Sequence, residues 1–194
     1  MAVQRLIVPL TAEQAKSQGQ QDTGEASFEA TFQKHWARVF GVVYRLVGDA
    51  PEAEDLALEA FWRLYNHRSK IEGDEGGWLY RVATNLGFNA LRARQRRWRY
   101  ETEAGRRSLE ESPLGDPADE IEKDQIRQRV QAALVKMKPR SAQLLVLRHS
   151  GLSYAEVASA LDIAPGSVGT LLARAEAEFE ENYRAGEGES HASR

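Results

Sequence analysis

Apolar residues recur along this chain at the three- and four-residue spacing that lines one side of an α-helix, in one segment after another. Phe28, Phe32, Trp36, Val39, Phe40, Val43, Leu46 and Val47 make the first such stripe, and Gly48 ends it as a helix stop. Asp49, Pro51 and Glu52 then form a helix start: the aspartate can cap free amides, the proline suits the first turn, and the glutamate sits three residues on. Ala53, Leu56, Ala57, Ala60, Phe61 and Leu64 form the inner stripe of that second helix. His67 to Gly77, containing IEGDEGG, predicts a loop. From Trp78 a third helix begins, with Leu79, Val82, Ala83, Leu86, Ala90 and Ala93 on one side.

The second half repeats the pattern after a gap. Glu101 to Asp119 contains Gly105, Pro113, Gly115 and Pro117 with little apolar content, which predicts an interdomain linker. Ile126, Val130, Ala133, Leu134 and Met137 restart the helical period until Pro139, and Leu144, Leu145 and Leu147 mark another helix before Gly151. Ser153 and Glu156 make an S-x-x-E capping box opening a short helix through Val157, Ala158 and Leu161. A turn over Asp162 to Pro165 leads to a last helix with Val168, Leu172, Ala175 and Phe179 inward, the arrangement of a helix-turn-helix. The predicted fold is all-α: two small helical domains joined by a flexible acidic linker, the C-terminal one a helix-turn-helix. The boundaries expected are a flexible extension over 1–26, a first domain over 27–100, the linker over 101–122, the second domain over 123–185 and a flexible tail over 186–194.

The outer sides of two helices carry unusual chemistry. On the second, Asp55, Leu58, Glu59 and Trp62 fall opposite the core stripe, and a leucine and a tryptophan one turn apart, framed by acids, suit docking to a basic protein helix. A further helix covering Trp62 is the plainer reading. On the third, Tyr80, Arg81, Thr84, Asn85, Phe88, Arg92 and Gln95 gather opposite the core stripe, with Trp78 and Asn89 at its border. Rings can stack on unpaired bases, amides can bond base edges and guanidinium groups pair with phosphates, so this side suits opened nucleic acid. A charge run can equally be a solvated face.

Charge sharpens the picture. The 194-residue chain has a net charge of -3, yet no acid occurs between Gly76 and Tyr100, where Arg81, Arg92, Arg94, Arg96, Arg97 and Arg99 lie. The linker that follows is acidic, and for a polyanion the local patch decides. In the last helix, Glu176, Glu178, Glu180 and Glu181 would repel phosphates, which leaves Ser167, Thr170 and Arg174 to touch DNA. Composition excludes other classes. The chain has no cysteine, hence no disulfide and no thiolate metal site, and His35, His67, His149 and His191 show no ligand spacing. No cofactor or metal is expected. Leu6 to Leu10 is too short for a membrane span and is interrupted by Pro9, so a cytoplasmic protein without membrane insertion is expected.

In series, GDAPEAEDLALEAFWRLY, WLYRVATNLGFNALRARQRR and LSYAEVASALDIAPGSVGTLLARA resemble the successive motifs of bacterial sigma factors of the compact, two-domain extracytoplasmic-function kind, from about Phe28 to Phe179. The resemblance implies that the helix carrying Asp55, Leu58, Glu59 and Trp62 docks on the clamp coiled coil of the largest subunit of core RNA polymerase. It implies that Trp78, Tyr80, Arg81, Asn85, Asn89, Arg92 and Arg96 engage and help open the minus-ten promoter element, with the His67 to Gly77 loop capturing a flipped base. The helix-turn-helix, through Ser167, Thr170 and Arg174, would read the minus-thirty-five duplex and touch the polymerase flap. The acidic linker would run toward the RNA path, and an anti-sigma factor is an expected partner. Leu58 departs from the family's usual glutamine, Gly169 and Leu171 stand where basic residues are common, and Ala164 replaces a usual capping serine.

Two other classes fit less of the chain. A stand-alone helix-turn-helix regulator of closed duplex leaves the aromatic side and the Leu58 and Trp62 pair without a role. An enzyme would rest on Glu54 with Asp55 or on Glu110 with Glu111, but neighbouring carboxylates do not converge on a helix, and no nucleophile, metal cluster or phosphate loop accompanies them. No catalytic residue is expected.

Overall fold

A computed structural model describes the backbone of residues 12–71, 73–103 and 117–192, and side chains within 27–71, 73–98, 100 and 123–186. Every regular element among these residues is helical: α1 (Ala12–Val47), α2 (Ala50–His67), α3 (Glu75–Glu103), α4 (Pro117–Lys136), α5 (Pro139–His149), α6 (Tyr154–Leu161) and α7 (Val168–Ala192). Short 3₁₀ turns at Arg68–Lys70 and Pro165–Ser167 complete the order. Residues 1–35 and 36–194 form two compact units. In the first, the Phe28 and Phe32 rings lie 6.4 Å apart, and the helix runs back to Ala12, ahead of the apolar stripe, through a sequence expected to be a flexible extension. Alanine, glutamine and glutamate favour helix without any periodic pattern.

The second unit is built largely as the apolar stripes foretell. Val39, Val42, Val43, Leu46 and Val47 of α1 are buried, as are Ala53, Ala57, Ala60, Phe61 and Leu64 of α2. The Trp36 ring packs 6.0 Å from that of Phe61. Gly48 turns the chain at φ 74°, and Asp49 caps α2 by accepting the Glu52 amide at 2.8 Å. Gly87 is where α3 comes closest to α1, since a Cβ there would lie 2.6 Å from the Leu46 side chain.

The second half follows suit. Ala133, Leu134 and Met137 of α4, Leu144, Leu145 and Leu147 of α5, and Val168, Leu172 and Ala175 of α7 are buried, while Ile126 is exposed and Phe179 half-buried. The Ser153 and Glu156 capping box is present in full, and the turn after α6 places Asp162 in the left-handed region at φ 52°. Ala164 at the next helical start contributes no side-chain cap. The expected linker is bracketed by longer helices than the sequence suggested, since α3 reaches Glu103 and α4 begins at Pro117; residues 104–116 lie outside the described residues. Likewise α7 carries the expected tail as far as Ala192.

Packing joins the two halves. α3 lies against α2, α4, α5 and α6, and α7 against α4, α5 and α6. A buried amide fastens α4 to α1: Gln131 donates to the Leu46 and Val47 carbonyls at the end of α1, at 2.8 and 3.3 Å. Arg94 of α3 donates to the same Val47 carbonyl at 2.5 Å and pairs with Glu52. These bonds occupy carbonyls that a helix end otherwise leaves without partners.

Candidate nucleic-acid and partner interfaces

The outer side of α2 stands open. Leu58, Trp62 and Tyr65 are 46%, 60% and 50% exposed, and the Trp62 and Tyr65 rings stack with centroids 6.1 Å apart. Among the described residues no helix covers Trp62. Asp55 is exposed beside them, and Glu59, half-buried, pairs with Arg63 at 2.7 Å. Three large apolar side chains within two turns make a patch that an isolated chain leaves in water, and an aromatic anchor of this kind can carry much of a docking energy.

The start of α3 is set by Asp74, whose carboxylate accepts the Gly76 and Gly77 amides, each at 3.0 Å. The helix therefore opens at Glu75, earlier than the Trp78 the apolar spacing suggested, and the loop is correspondingly shorter. Arg68, at the far end of that loop, clamps Glu75 through two bonds of 2.6 and 3.0 Å. A bidentate pair fixes direction as well as distance, so the loop between α2 and α3 is held at both ends. Beside it lies a cavity of about 410 Å³ lined by Lys70, Ile71, Asp74, Trp78 and Arg81, with Ser159 of α6 and Asp162 of the turn after it on the remaining wall.

Along α3 the expected nucleic-acid side is divided. Arg81, Asn85, Asn89 and Arg96 are exposed, and Trp78 and Arg92 are half-buried, the Arg92 guanidinium lying 5.6 Å from the Phe88 ring centre. Tyr80, Thr84 and Phe88, expected on the same open side, are buried at 1%, 0% and 2% exposure. The helix has two buried rows, one through Leu79 and Ala83, the other through Tyr80, Thr84, Phe88 and Leu91. Apolar spacing shows the first. The second exists because another helix packs there. Thr84 is satisfied locally by donating to the Tyr80 and Arg81 carbonyls at 2.7 and 3.0 Å.

The Tyr80 hydroxyl accepts from Arg38 of α1, and Arg38 pairs with Glu156 of α6 at 2.6 Å. Burial pushes the Tyr80 phenol above its ordinary value, against the pull of Arg38. The Arg38 guanidinium is raised, first through its bond to Tyr80 and then through the Glu156 charge. Glu156 is held below the usual carboxylate range, chiefly by the Ser153 amide. Two further bonds reach α3 from the second half: Ser159 donates to Asp74 at 2.9 Å, and Gln143 of α5 donates to Asn85 at 2.6 Å. Arg38, Asp74, Gln131 and Ser159 carry no periodic or motif signal; of these only Asp74, ahead of Glu75 and two glycines, could have been read as a cap.

In the helix-turn-helix, Thr170 and Arg174 are exposed on α7 and Ser167 in the turn just before it, with Val168, Leu172 and Ala175 buried. A groove-reading surface asks for this arrangement: a fixed helix with short polar and cationic side chains at its N-terminal part. Among the described residues no group of His, Cys, Asp and Glu could hold a metal ion, and no helix is long and apolar enough to cross a membrane.

Comparison with known proteins bears on both surfaces. Residues 31–97 match the family described as Sigma-70 region 2, and residues 127–179 match Sigma-70, region 4. The extracytoplasmic-function (ECF) RNA polymerase sigma factor SigE of Mycolicibacterium smegmatis is 32% identical over 78% of this chain, which spans 64% of that protein's length. The RNA polymerase sigma-H factor of Pseudomonas aeruginosa is 30% identical over 77% of this chain and 82% of its own length. For SigW of Bacillus subtilis, also an ECF RNA polymerase sigma factor, the values are 29%, 71% and 78%. Among solved structures, CnrH in complex with the cytosolic domain of CnrY has a similar fold, with TM-score 0.52 at 19% identity over 83% of this chain and 90% of that one.

Proposed function

The chain belongs to the extracytoplasmic-function RNA polymerase sigma factors, and from that membership we propose how it divides its work: α2 docks on core polymerase, α3 opens the promoter, and α7 reads duplex upstream. The observation that carries the proposal is the stacked Trp62 and Tyr65 pair with Leu58, exposed on α2 within the stretch that matches region 2. A monomer gains nothing from such a surface, whereas a coiled coil of the largest polymerase subunit, laid against Asp55, Leu58, Glu59 and Trp62, would remove it from water.

Once docked, the chain needs no chemistry of its own; polymerase supplies the catalysis, in the cytoplasm. Arg81, Arg92 and Arg96 supply cations for the phosphates of a parted strand, Asn85 and Asn89 supply amide donors and acceptors, and Trp78 supplies a ring on which a base stacks. Unstacking a base costs a few kcal/mol, and each ring that takes up a base returns about 1–3 kcal/mol. The cavity beside Lys70, Trp78 and Arg81 adjoins the loop assigned to base capture. Ser167, Thr170 and Arg174 contact the upstream duplex; with Gly169 and Leu171 adding no charge, that contact has a shallow salt dependence. The flap and an anti-sigma factor complete the partners of this reading.

The test is transcription by core polymerase on genomic fragments, with start sites mapped with and without the full chain. New starts that require the chain are expected. Binding to closed duplex without any new start would instead mark a stand-alone regulator.

A further inference from the structure

Resting on that reading, we propose that the promoter surface of α3 runs past the end of the region 2 match to Tyr100, and that Tyr100 with Arg96 holds the sugar-phosphate backbone of the duplex just upstream of the opened element. The helix register supports this. Arg81, Asn85, Asn89, Arg92, Arg96 and Tyr100 follow one another at intervals of three or four residues, which at about 3.6 residues per turn keeps all six within about 100° of the helix surface. All but the half-buried Arg92 are exposed, and α3 is unbroken from Glu75 to Glu103. The region 2 match stops at residue 97, so Tyr100 lies beyond it. At 71% exposure it is the most open large apolar side chain among the described residues.

Charge and length choose the occupant. No acid occurs between Gly76 and Tyr100, and the exposed Arg96 and Arg97 stand just before the ring, so this end of the helix suits a polyanion. Glu101 and Glu103 follow in the sequence, and the stretch that tolerates phosphates ends with Tyr100. From Arg81 to Tyr100 the helix rises about 28 Å at ~1.5 Å a residue, the length of about eight base-pair steps of duplex. The loop assigned to base capture is at the opposite end, ahead of Glu75. Past Glu103 the chain continues into the half that carries the helix-turn-helix, which in the proposed reading lies upstream. Tyr100 therefore meets DNA on its upstream, still paired side. Its hydroxyl can donate to a phosphate oxygen while the ring covers the adjoining sugar, a contact that fixes register without reading bases.

Forked promoter DNA tests it. Core polymerase carrying the full chain is titrated with two forks of one mapped promoter, both single-stranded across the minus-ten element and both lacking the minus-thirty-five element. One is paired upstream for about 15 base pairs, beyond the reach of Tyr100, and the other for about 3, short of it. Tyr100→Ala should weaken binding to the long fork about fivefold and leave the short fork as in wild type. Trp98→Ala removes another exposed ring, about 200° round the helix from Tyr100, and should match wild type on both forks. Salt tells the two side chains apart: Arg96→Ala should lower the slope of log affinity against log salt by about one on the long fork, whereas Tyr100→Ala leaves the slope in place. Equal loss on both forks, no loss on either, or an equal loss from Trp98→Ala overturns the proposal. Wild-type holoenzyme that binds neither fork more tightly than core polymerase alone would remove the promoter-opening reading itself. Tight binding to both forks that ignores Tyr100 would remove only the upstream contact.

Discussion

Two helices side by side treat their aromatic residues in opposite ways. On α2, Trp62 is 60% exposed and stacks on its neighbour Tyr65; on α3, Tyr80 is 1% exposed under a chain of polar contacts that ends in α6. The α2 side faces water as it stands. The α3 side already has a partner, supplied by the other half of the same chain. Water contact at an aromatic residue thus separates an open surface from one covered by the same chain, although both helices show the same apolar spacing and both carry large outward rings in the sequence. The sharpest way to break the comparison is at the open end. Trp62→Ala should weaken core-polymerase binding by about 2 kcal/mol, roughly thirtyfold, with the melting temperature nearly unchanged because the ring supports little of the core. A fluorescence titration with labelled polymerase that returns the wild-type affinity would remove α2 as the docking side.

The covered side predicts a smaller effect of a different kind. Arg81→Ala combined with Asn85→Ala removes one cation and one amide from the exposed edge of α3, and should reduce permanganate-reactive open promoter by roughly tenfold, about 1–2 kcal/mol, while polymerase affinity holds. Equal footprints would place strand opening elsewhere. Asn85 also bonds Gln143, so the same double variant loosens the contact with α5 as it removes a proposed promoter contact. Gln143→Ala, which loosens the same contact and leaves Asn85 in place, keeps those two roles apart.

How much of this could be seen in the sequence follows the same division. The α2 patch was legible because its inner stripe, Ala53, Ala57, Ala60, Phe61 and Leu64, is complete and leaves Leu58 and Trp62 nowhere to go but outward. The helix-turn-helix was legible because its capping box is local and its turn is short. On α3 the apolar spacing shows one stripe of a helix that has two buried rows, so Tyr80, Thr84 and Phe88 look outward in the sequence and are buried in the fold. Nothing local distinguishes an exposed tyrosine from one buried by a helix more than seventy residues further on, as Glu156 is from Tyr80. Gln131 is the plainest case. An amide on an amphipathic helix reads as surface, and only the folded chain brings it to the Leu46 carbonyl, 85 positions upstream. Asp74 was within reach, since an aspartate ahead of a glutamate and two glycines is a helix start, but the glycines suggested loop.

The mildest expected effect lies at Glu156, where the local and long-range features meet. Its carboxylate accepts the Ser153 amide at 2.8 Å and pairs with Arg38 at 2.6 Å, and its pKa lies below the ordinary value of 4.5, first because of the Ser153 bond and only later because of Arg38. A carboxylate depressed in the folded state adds stability above its unfolded value and loses it as pH falls through the folded one. Glu156→Gln should therefore cost about 1 kcal/mol or less near neutrality, as the loss of a helix cap does, and the gap to wild type should close as pH falls below 4.5. Thermal melts of both chains across that range measure it. A gap that keeps its size in acid would mean that the glutamate acts through shape alone. A gap that closes while hydroxyl-radical labelling of Tyr80 rises in wild type would show the charge of Glu156 working across the contact, holding α6 down on α3 as well as opening its own helix.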